Sequence, residues 1–498
     1  MTERTAGVDS VDDLLRAAAA KHGDREAYVE PGGARLTFAE WDARSDALAA
    51  AFAARGLSAG DVVALMLPSS VDYAICYAAV ARLGAVATGL NTRLGPREVS
   101  AILDRASPAL IVHDPRGGPP LPRVDLPVLT RGELAGLYSW PAPTGRRLPP
   151  DPSAPIVIIW TSGTTGTPKG AWFDMRNLLA SAASSGVMSA PGDRRLVATP
   201  FAHAGYMAKL ADQLVRGITL VISPVPWSAA AMARIMRDER ITVAGGVPTQ
   251  WSKLLDEPGA ARLPDLRVGI AATAPAPPDL VEAVADRLGV PLVVRYAMTE
   301  SPTICGTEPA DPPEVQFRTV GRPQLGMEVA VTDGEGRPVP AGEVGWIRVR
   351  GGCVMRGYWR DPERTAEALT DDGWLRSGDL GRFDAAGNLI LVGRAGDLYI
   401  RGGYNVHPVE VENTLAEHPG VRRAAVVGRP TPVIGEIGVA YVVPADPAAP
   451  PTLAELRAWT KDRLADYKAP DELVLVDELP VTAMLKLDRE ALRARLSG

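Results

Sequence analysis

The chain has few cysteines, little lysine, no long apolar run and no strong excess of either charge. Its three cysteines, Cys76, Cys305 and Cys353, lie far apart in sequence, which indicates neither a disulfide framework nor a zinc cluster. No uninterrupted apolar stretch reaches bilayer length, and even the Ala-rich segment 73–90 is broken by Arg82. The N-terminus is polar and acidic, without the apolar core of a secretory signal. A net charge of -6 spread over both signs leaves no basic footprint for nucleic acid. Scarce lysine beside abundant Arg, Ala, Gly and Pro points to genome base composition rather than function. These absences lead us to expect a cytoplasmic, soluble protein with no integral membrane association. At 498 residues and 46% hydrophobic, it is long enough for more than one core.

What the chain does contain is a run of hydroxyls and glycines behind an apolar strand. Ile156-Val157-Ile158-Ile159-Trp160 has the β-branched richness of a buried strand. It is followed by Thr161, Ser162, Gly163, Thr164, Thr165, Gly166, Thr167, Pro168, Lys169 and Gly170. Glycines let the backbone turn tightly and bring N–H groups close to an anion. The hydroxyls add donors and Lys169 a fixed charge, so the loop suits a polyphosphate. It is not a Walker A loop, since no Ser or Thr follows the lysine and the glycine spacing differs. A plain Ser/Thr/Gly linker would rarely sit directly behind a buried strand.

The rest of the chain shows an α/β rhythm. Strands are predicted at 61–67, 85–90, 109–112, 219–222, 267–270 and 291–295, with helices at 71–83 and 97–105. Strands alternating with helices imply parallel sheets with crossover helices. The Pro- and Gly-rich stretch 115–155 is expected to wander as a surface connection. After Gly321 the texture changes, and runs at 329–332 and 346–349 suggest a β-rich subdomain. Past Arg394 lies a compact tail with a helix at 408–416 and strands at 424–427 and 439–443. A last helix opens at Thr452, with Glu455 at capping-box spacing.

The loop 161–170 resembles the phosphate loop of the adenylate-forming superfamily, which contains acyl-CoA synthetases, peptide-synthetase adenylation domains and luciferases. Further matches follow in the family's order: Tyr296-Ala297-Met298-Thr299-Glu300, Gly357-Tyr358-Trp359, Ser377-Gly378-Asp379, Gly393-Arg394 with Gly402-Gly403, and Pro480 with Lys486. The resemblance implies a fold with a large N-terminal domain of stacked, mostly parallel sheets with helices plus the β-rich subdomain. It also implies a small mobile α+β C-terminal lid. The division is expected at residues 1–394, which would hold ATP and acid, and 395–498, the lid. The hinge falls at Gly396, where glycine can absorb a large torsional change.

The implied chemistry is acid activation. Carboxylate attacks the α-phosphate of ATP and expels pyrophosphate, and a thiol then attacks the acyl adenylate. Two anions must meet, so positioning and charge neutralisation dominate. Thr161, Ser162, Thr164, Thr165 and Lys169 would hold the β- and γ-phosphates, with Gly163 and Gly166 shaping the turn. Glu300 would ligate Mg²⁺ and Thr299 would bond the α-phosphate; one carboxylate with waters and phosphate oxygens suits magnesium. On local sequence alone, Thr-Glu reads as a helix cap. Asp379 would accept from the ribose hydroxyls, Arg394 would approach ribose or phosphate, and adenine would lie between Ala272-Thr273-Ala274 and the Tyr296 ring. Relatives often have Gly at the positions of Ala272 and Ala297, so the adenine slot is expected to be narrower. His203 would gate the carboxylate, and Ala204, Gly205, Met207, Ala208, Val247, Thr249 and Ala297 would line a small apolar pocket. That lining favours a hydrophobic acid over acetate or an amino acid. Gly402 and Gly403 would face the site after lid rotation and let a pantetheine arm lie along the backbone. Coenzyme A is the expected thiol because no carrier domain follows, although a free carrier protein is an alternative. Self-association into a homodimer is left open.

The largest departure surrounds Lys486. Family members usually read Pro-x-Thr-Gly-x-Gly-Lys, whereas this chain reads Pro480-Val481-Thr482-Ala483-Met484-Leu485-Lys486. A lysine here neutralises carboxylate and α-phosphate as they approach. At 4 Å and an effective dielectric near 20 the attraction is about 4 kcal/mol, which caps the loss on its removal at roughly three powers of ten in rate. If Leu485 stiffens or displaces the loop, adenylation suffers first. Two alternatives follow: a ligase that only transfers preformed acyl adenylates, and a catalytically silent acyl or nucleotide binder.

Overall fold

The computed structural model describes residues 9–117, 121–141, 151–161, 168–225, 227–261, 263–272, 278–394, 396–401, 404–431, 435–482 and 487–496. Strand Val62–Met66, Val-Val-Ala-Leu-Met, is buried at every residue, the signature of a parallel strand covered on both faces. It lies between Val86–Gly89 and Leu110–His113, both parallel to it. Together with Gly357–Tyr358, Lys169–Phe173, Val157–Thr161 and Val128–Thr130 they form one seven-stranded sheet among the described residues. A nine-stranded sheet runs in the order Arg322–Pro323, Ser301–Gly306, Leu292–Met298, Val268–Ala272, Val243–Gly246, Arg194–Val197, Thr219–Ile222, Glu26–Val29, Arg35–Thr37. Its interior pairs are parallel and its two ends antiparallel.

Helix Val71–Arg82 shows how the two sheets share one core. Ser70 caps it by accepting from the Tyr73 amide. Every residue from Tyr73 to Val80 is buried, so no polar stripe remains, as expected of a helix enclosed on all sides. Trp41 Nε1 donates to the Ala74 carbonyl at 3.1 Å, and the Tyr77 hydroxyl to the Met207 carbonyl at 2.7 Å. Residues from both sheets and this helix fall into one continuous apolar cluster.

The stretch expected to wander is more ordered than its Pro and Gly content suggested. Val128–Thr130 pairs with Leu110–His113, and the short helix Arg131–Leu134 follows it. Arg131 makes the difference: it bonds Asp72 at 2.7 Å and Asp114 at 3.1 Å, while the Tyr138 hydroxyl also reaches Asp72. Two carboxylates from the parallel-sheet framework thus hold the segment against it.

The β-rich subdomain is the antiparallel four-stranded sheet Met327–Thr332, Gly345–Gly351, Leu375–Phe383, Leu389–Arg394. The smaller C-terminal domain is built on the sheet Tyr404–Val406, Tyr399–Arg401, Gly435–Pro444, Val421–Thr431, with Glu472–Leu475 added in parallel. Along Val421–Thr431 the side chains alternate faces as a strand requires. Val426 joins one apolar cluster with Leu415 and Leu456, and Ala425 and Val427 join another with Leu479 and Leu492. The helix Leu453–Lys461 carries the expected capping box from Thr452 and Glu455. Gly396 is exposed within a turn in which the Asp397 amide donates to the Arg394 carbonyl. A Cβ at Gly396 would meet nothing within 4 Å, and Asp397 pairs with Arg489 and Arg493 of the last helix.

Candidate functional site

Thr161 and Lys169 are register partners on the antiparallel strands Val157–Thr161 and Lys169–Phe173, so the hydroxyl-rich loop joins the ends of a hairpin. Close packing fixes that hairpin end. A Cβ on Gly170 would fall 2.7 Å from Ile158 Cγ2, which only glycine avoids, and the Trp359 amide donates to the Gly170 carbonyl at 2.7 Å. Lys169 Nζ stands 5.3 Å from the centre of the Tyr358 ring, within cation–π range.

Thr299 and Glu300 occupy the two-residue turn between Leu292–Met298 and Ser301–Gly306, with Met298 and Ser301 paired across it. The helix cap suggested by local sequence does not form, because both flanking segments are strand. Glu300 is 9% exposed, and its Oε1 accepts from the Tyr358 hydroxyl at 2.8 Å. The Met355 amide donates to the Glu300 carbonyl and so fixes the turn from the other side. Tyr358 therefore bridges Lys169 and Glu300, a role that sequence reasoning did not assign to it although the Gly-Tyr-Trp motif was noticed. Burial, and then the Glu300 carboxylate beside it, push the Tyr358 pKa up, so the hydroxyl remains a donor.

A second group gathers at Asp379. Gly378, with φ +77, turns the chain so that the following carboxylate faces inward. Asp379 and Arg394 are register partners, and Arg394 Nε donates to Asp379 Oδ1 at 2.9 Å. The Tyr296 hydroxyl donates to Asp379 Oδ2 at 2.5 Å, and the Asp379 amide donates to Ser377 Oγ. Burial, then Asp379, raise the Tyr296 pKa well above that of a free phenol. Burial opposes the Arg394 charge, but Asp379 holds its pKa above the ordinary value. Three predicted nucleotide residues, Tyr296, Asp379 and Arg394, are thus in direct contact, and each Asp379 oxygen keeps a second lone pair for a further donor.

The segment 201–208 is held by the same tight approach. Phe201 stacks on Tyr206 with centroids 3.7 Å apart, and a Cβ on Gly89 would fall 2.7 Å from Ala202 Cα. His203 caps helix Ala204–Met207, its Nδ1 accepting from the Gly205 amide at 3.3 Å. Gly205 is exposed, whereas Ala204, Met207 and Ala208 are interior. Met207 packs in the core, where the Tyr73 hydroxyl donates to its sulfur at 3.4 Å. Val247 precedes helix Pro248–Leu255 and its amide donates to Gln250 Oε1. Ala297 is exposed beside Tyr296. Ser162, Gly163, Thr164, Thr165, Gly166, Thr273, Ala274, Gly402, Gly403 and Lys486 lie outside the described residues, as do the side chains of Ala272 and Thr249. The backbone of Ala272 pairs with Arg295, next to Tyr296.

Glu300 fits a magnesium ion in one respect that matters: among the described residues its second oxygen, Oε2, has no hydrogen-bond partner, while Oε1 is oriented by Tyr358. The three cysteines are free and buried, and among the described residues no helix is long and apolar enough to cross a membrane.

Comparison with known proteins covers nearly the whole chain. The profile of the AMP-binding enzymes matches residues 15–359, and that of the AMP-binding enzyme C-terminal domain matches residues 410–486. The chain is 35% identical over 486 residues to the sulfoacetate–CoA ligase of Cupriavidus necator, covering 95% of each protein. It is 35% identical over 477 residues to a feruloyl-CoA synthase of Amycolatopsis, covering 94% of this chain and 95% of that one. ATP-bound MatB from Rhodopseudomonas palustris superposes with a TM-score of 0.88 at 29% identity, over 98% of this chain and 99% of its own. The chain belongs to the AMP-binding enzymes of the adenylate-forming superfamily, among their acid–CoA ligases.

Proposed function

We propose that the protein activates a hydrophobic carboxylic acid with ATP and transfers the acyl group to coenzyme A. The observation that carries this reading is the convergence of Lys169, Tyr358 and Glu300 at the loop hairpin, with Tyr296, Asp379 and Arg394 as a second polar group. The first group suits a polyphosphate and the second a ribose. In the first half-reaction a carboxylate oxygen bonds to the α-phosphorus, the bond to the β-phosphate bridge breaks and pyrophosphate leaves. In the second, the thiol sulfur bonds to the acyl carbon, the acyl–phosphate bond breaks, AMP leaves and the thiol proton is released.

Thr161, Lys169 and the loop 162–167 cradle the phosphates, and Thr299 reaches the α-phosphate. Glu300 Oε2 is the oxygen that would hold Mg²⁺, which when bound supplies charge neutralisation on the phosphate oxygens. Lys486 meets the carboxylate and α-phosphate in the first step. Residues 395–498 rotate about Gly396 to bring Gly402 and Gly403 to the site for the second. His203 and Gly205 border the acyl group, with Val247, Thr249 and Ala297. The relatives' names span acids of different polarity, so the hydrophobic preference rests on this chain's small apolar residues. A cytoplasmic setting, which supplies both ATP and coenzyme A, completes the reading.

The test is acid-dependent exchange of labelled pyrophosphate into ATP, run beside thioester formation from synthetic acyl-AMP. Exchange together with thioester supports the complete ligase. Thioester without exchange would leave only the transfer half, and neither would leave a silent binder.

A further inference from the structure

Lys209 lies six residues past His203, at the start of helix Leu210–Arg216. Its ammonium has three hydrogens to donate, yet among the described residues it makes one hydrogen bond, to Thr303 Oγ1 at 2.6 Å. Thr303 is 3% exposed on strand Ser301–Gly306, which leaves the Glu300 turn. The ammonium therefore ties the His203 segment to the Glu300 strand, the two segments that border the acyl group.

No carboxylate among the described residues pairs with it. Asp212, a carboxylate that acts on its charge, is taken by Arg216 at 2.9 Å, Arg195 at 3.3 Å and Ser189 Oγ at 2.7 Å. Desolvation lowers the Lys209 pKa; Cys353 and Asp212 act against that, and the cations Arg195 and Arg295 add to it. A small cavity of about 20 Å³ adjoins it, lined among others by Arg195, Gly205, Tyr206, Lys209 and Gln213. Room of that size holds about one water molecule, which one oxygen of a bound acid would displace. If the lysine served packing alone, an apolar residue would fill the place without the cost of desolvating a cation.

We propose that Lys209 and Thr303 form the far end of the acyl site and select acids bearing a second oxyanion, a carboxylate or sulfonate, remote from the carboxylate that is activated. The inference rests on the acyl-activation reading above and refines it: apolar walls lead to a cationic end. A distal oxyanion would accept from the two unused ammonium hydrogens and supply the missing counter-charge. Methyl-ended acids leave the ammonium unpaired.

The experiment compares kcat/KM for CoA-thioester formation across acids of equal length ending in methyl, carboxylate or sulfonate. The wild type, Lys209→Met and Lys209→Arg are each assayed. The wild type should prefer an anionic end, with the carboxylate and sulfonate series distinguishing which oxyanion fits. Lys209→Met should lower kcat/KM for that class by roughly 100-fold while leaving methyl-ended acids unchanged or improved, and Lys209→Arg should restore part of the loss. Retained turnover of methyl-ended acids shows that the variant is folded. A wild type that prefers methyl-ended acids, or a Lys209→Met variant with the wild-type preference, overturns this inference and leaves acid activation standing. Failure of every acid to yield thioester or pyrophosphate exchange overturns the activation reading itself.

Discussion

Tyr358 donates its hydroxyl hydrogen to Glu300 Oε1 across 2.8 Å, while Lys169 Nζ lies 5.3 Å from the centre of the same ring. One phenol thus holds the orientation of an acidic and a basic residue that come from different sheet segments. With Oε1 occupied, Oε2 is the oxygen presented to a cation.

Tyr358→Phe should keep the ring against Lys169 and release Glu300. A hydrogen bond to a charged group contributes about 1.5–3 kcal/mol, so acid-dependent pyrophosphate exchange should fall by roughly 10- to 100-fold. Thioester formation from synthetic acyl-AMP should change far less, because that step uses no polyphosphate. Equal losses in both assays would show that Tyr358 supports the fold and not the phosphate site.

Asp379→Ala removes the acceptor shared by Tyr296 and Arg394. The expected outcome is weaker ATP binding, with KM for ATP raised by roughly ten-fold or more and KM for the acid nearly constant. Titration of ATP by calorimetry checks this directly. Unchanged ATP affinity would place the ribose elsewhere.

Much of this arrangement could be read from the sequence, and the residues show why. Val62–Met66 and the helix at 71–82 follow from apolar pattern and a serine cap, both local signals. Asp379 and Glu300 are picked out as candidates by short motifs that follow one another along the chain. Tyr358 and Lys209 were not assigned roles, because their partners, Glu300 and Thr303, lie 58 and 94 residues away. Long-range pairing of that kind leaves no mark in local composition. The order in the segment 128–138 was missed for the same reason: Arg131 finds Asp72 from 59 residues away.

Gly396 is exposed and has room for a side chain. Gly396→Ala should leave both half-reactions close to wild type, whereas Gly396→Pro, by fixing φ, should depress the overall reaction while sparing one half-reaction. Separate assays of exchange and of thioester formation from acyl-AMP check this. Equal tolerance of alanine and proline would remove the hinge from residue 396.

Asp193 joins three strands of the nine-stranded sheet through Arg267 and Thr242. Burial alone would raise its pKa, but Arg267, the Ala190 amide and Thr242 outweigh burial and hold it below the usual 3.8. A carboxyl with a depressed folded-state pKa adds stability that is present above its unfolded value and is lost as pH falls through the folded one. Asp193→Asn should therefore cost roughly 2 kcal/mol at neutral pH, and the gap from wild type should close as pH drops below about 4. Urea denaturation from about pH 2 to about pH 7 measures it. A pH-independent difference would assign the loss to packing.

The most direct measurement of the central claim is a crystal structure with ATP and magnesium bound. The triphosphate should lie against Thr161–Lys169, with a metal on Glu300 Oε2 and the ribose hydroxyls on Asp379. A triphosphate bound away from both the loop hairpin and Glu300 would contradict it.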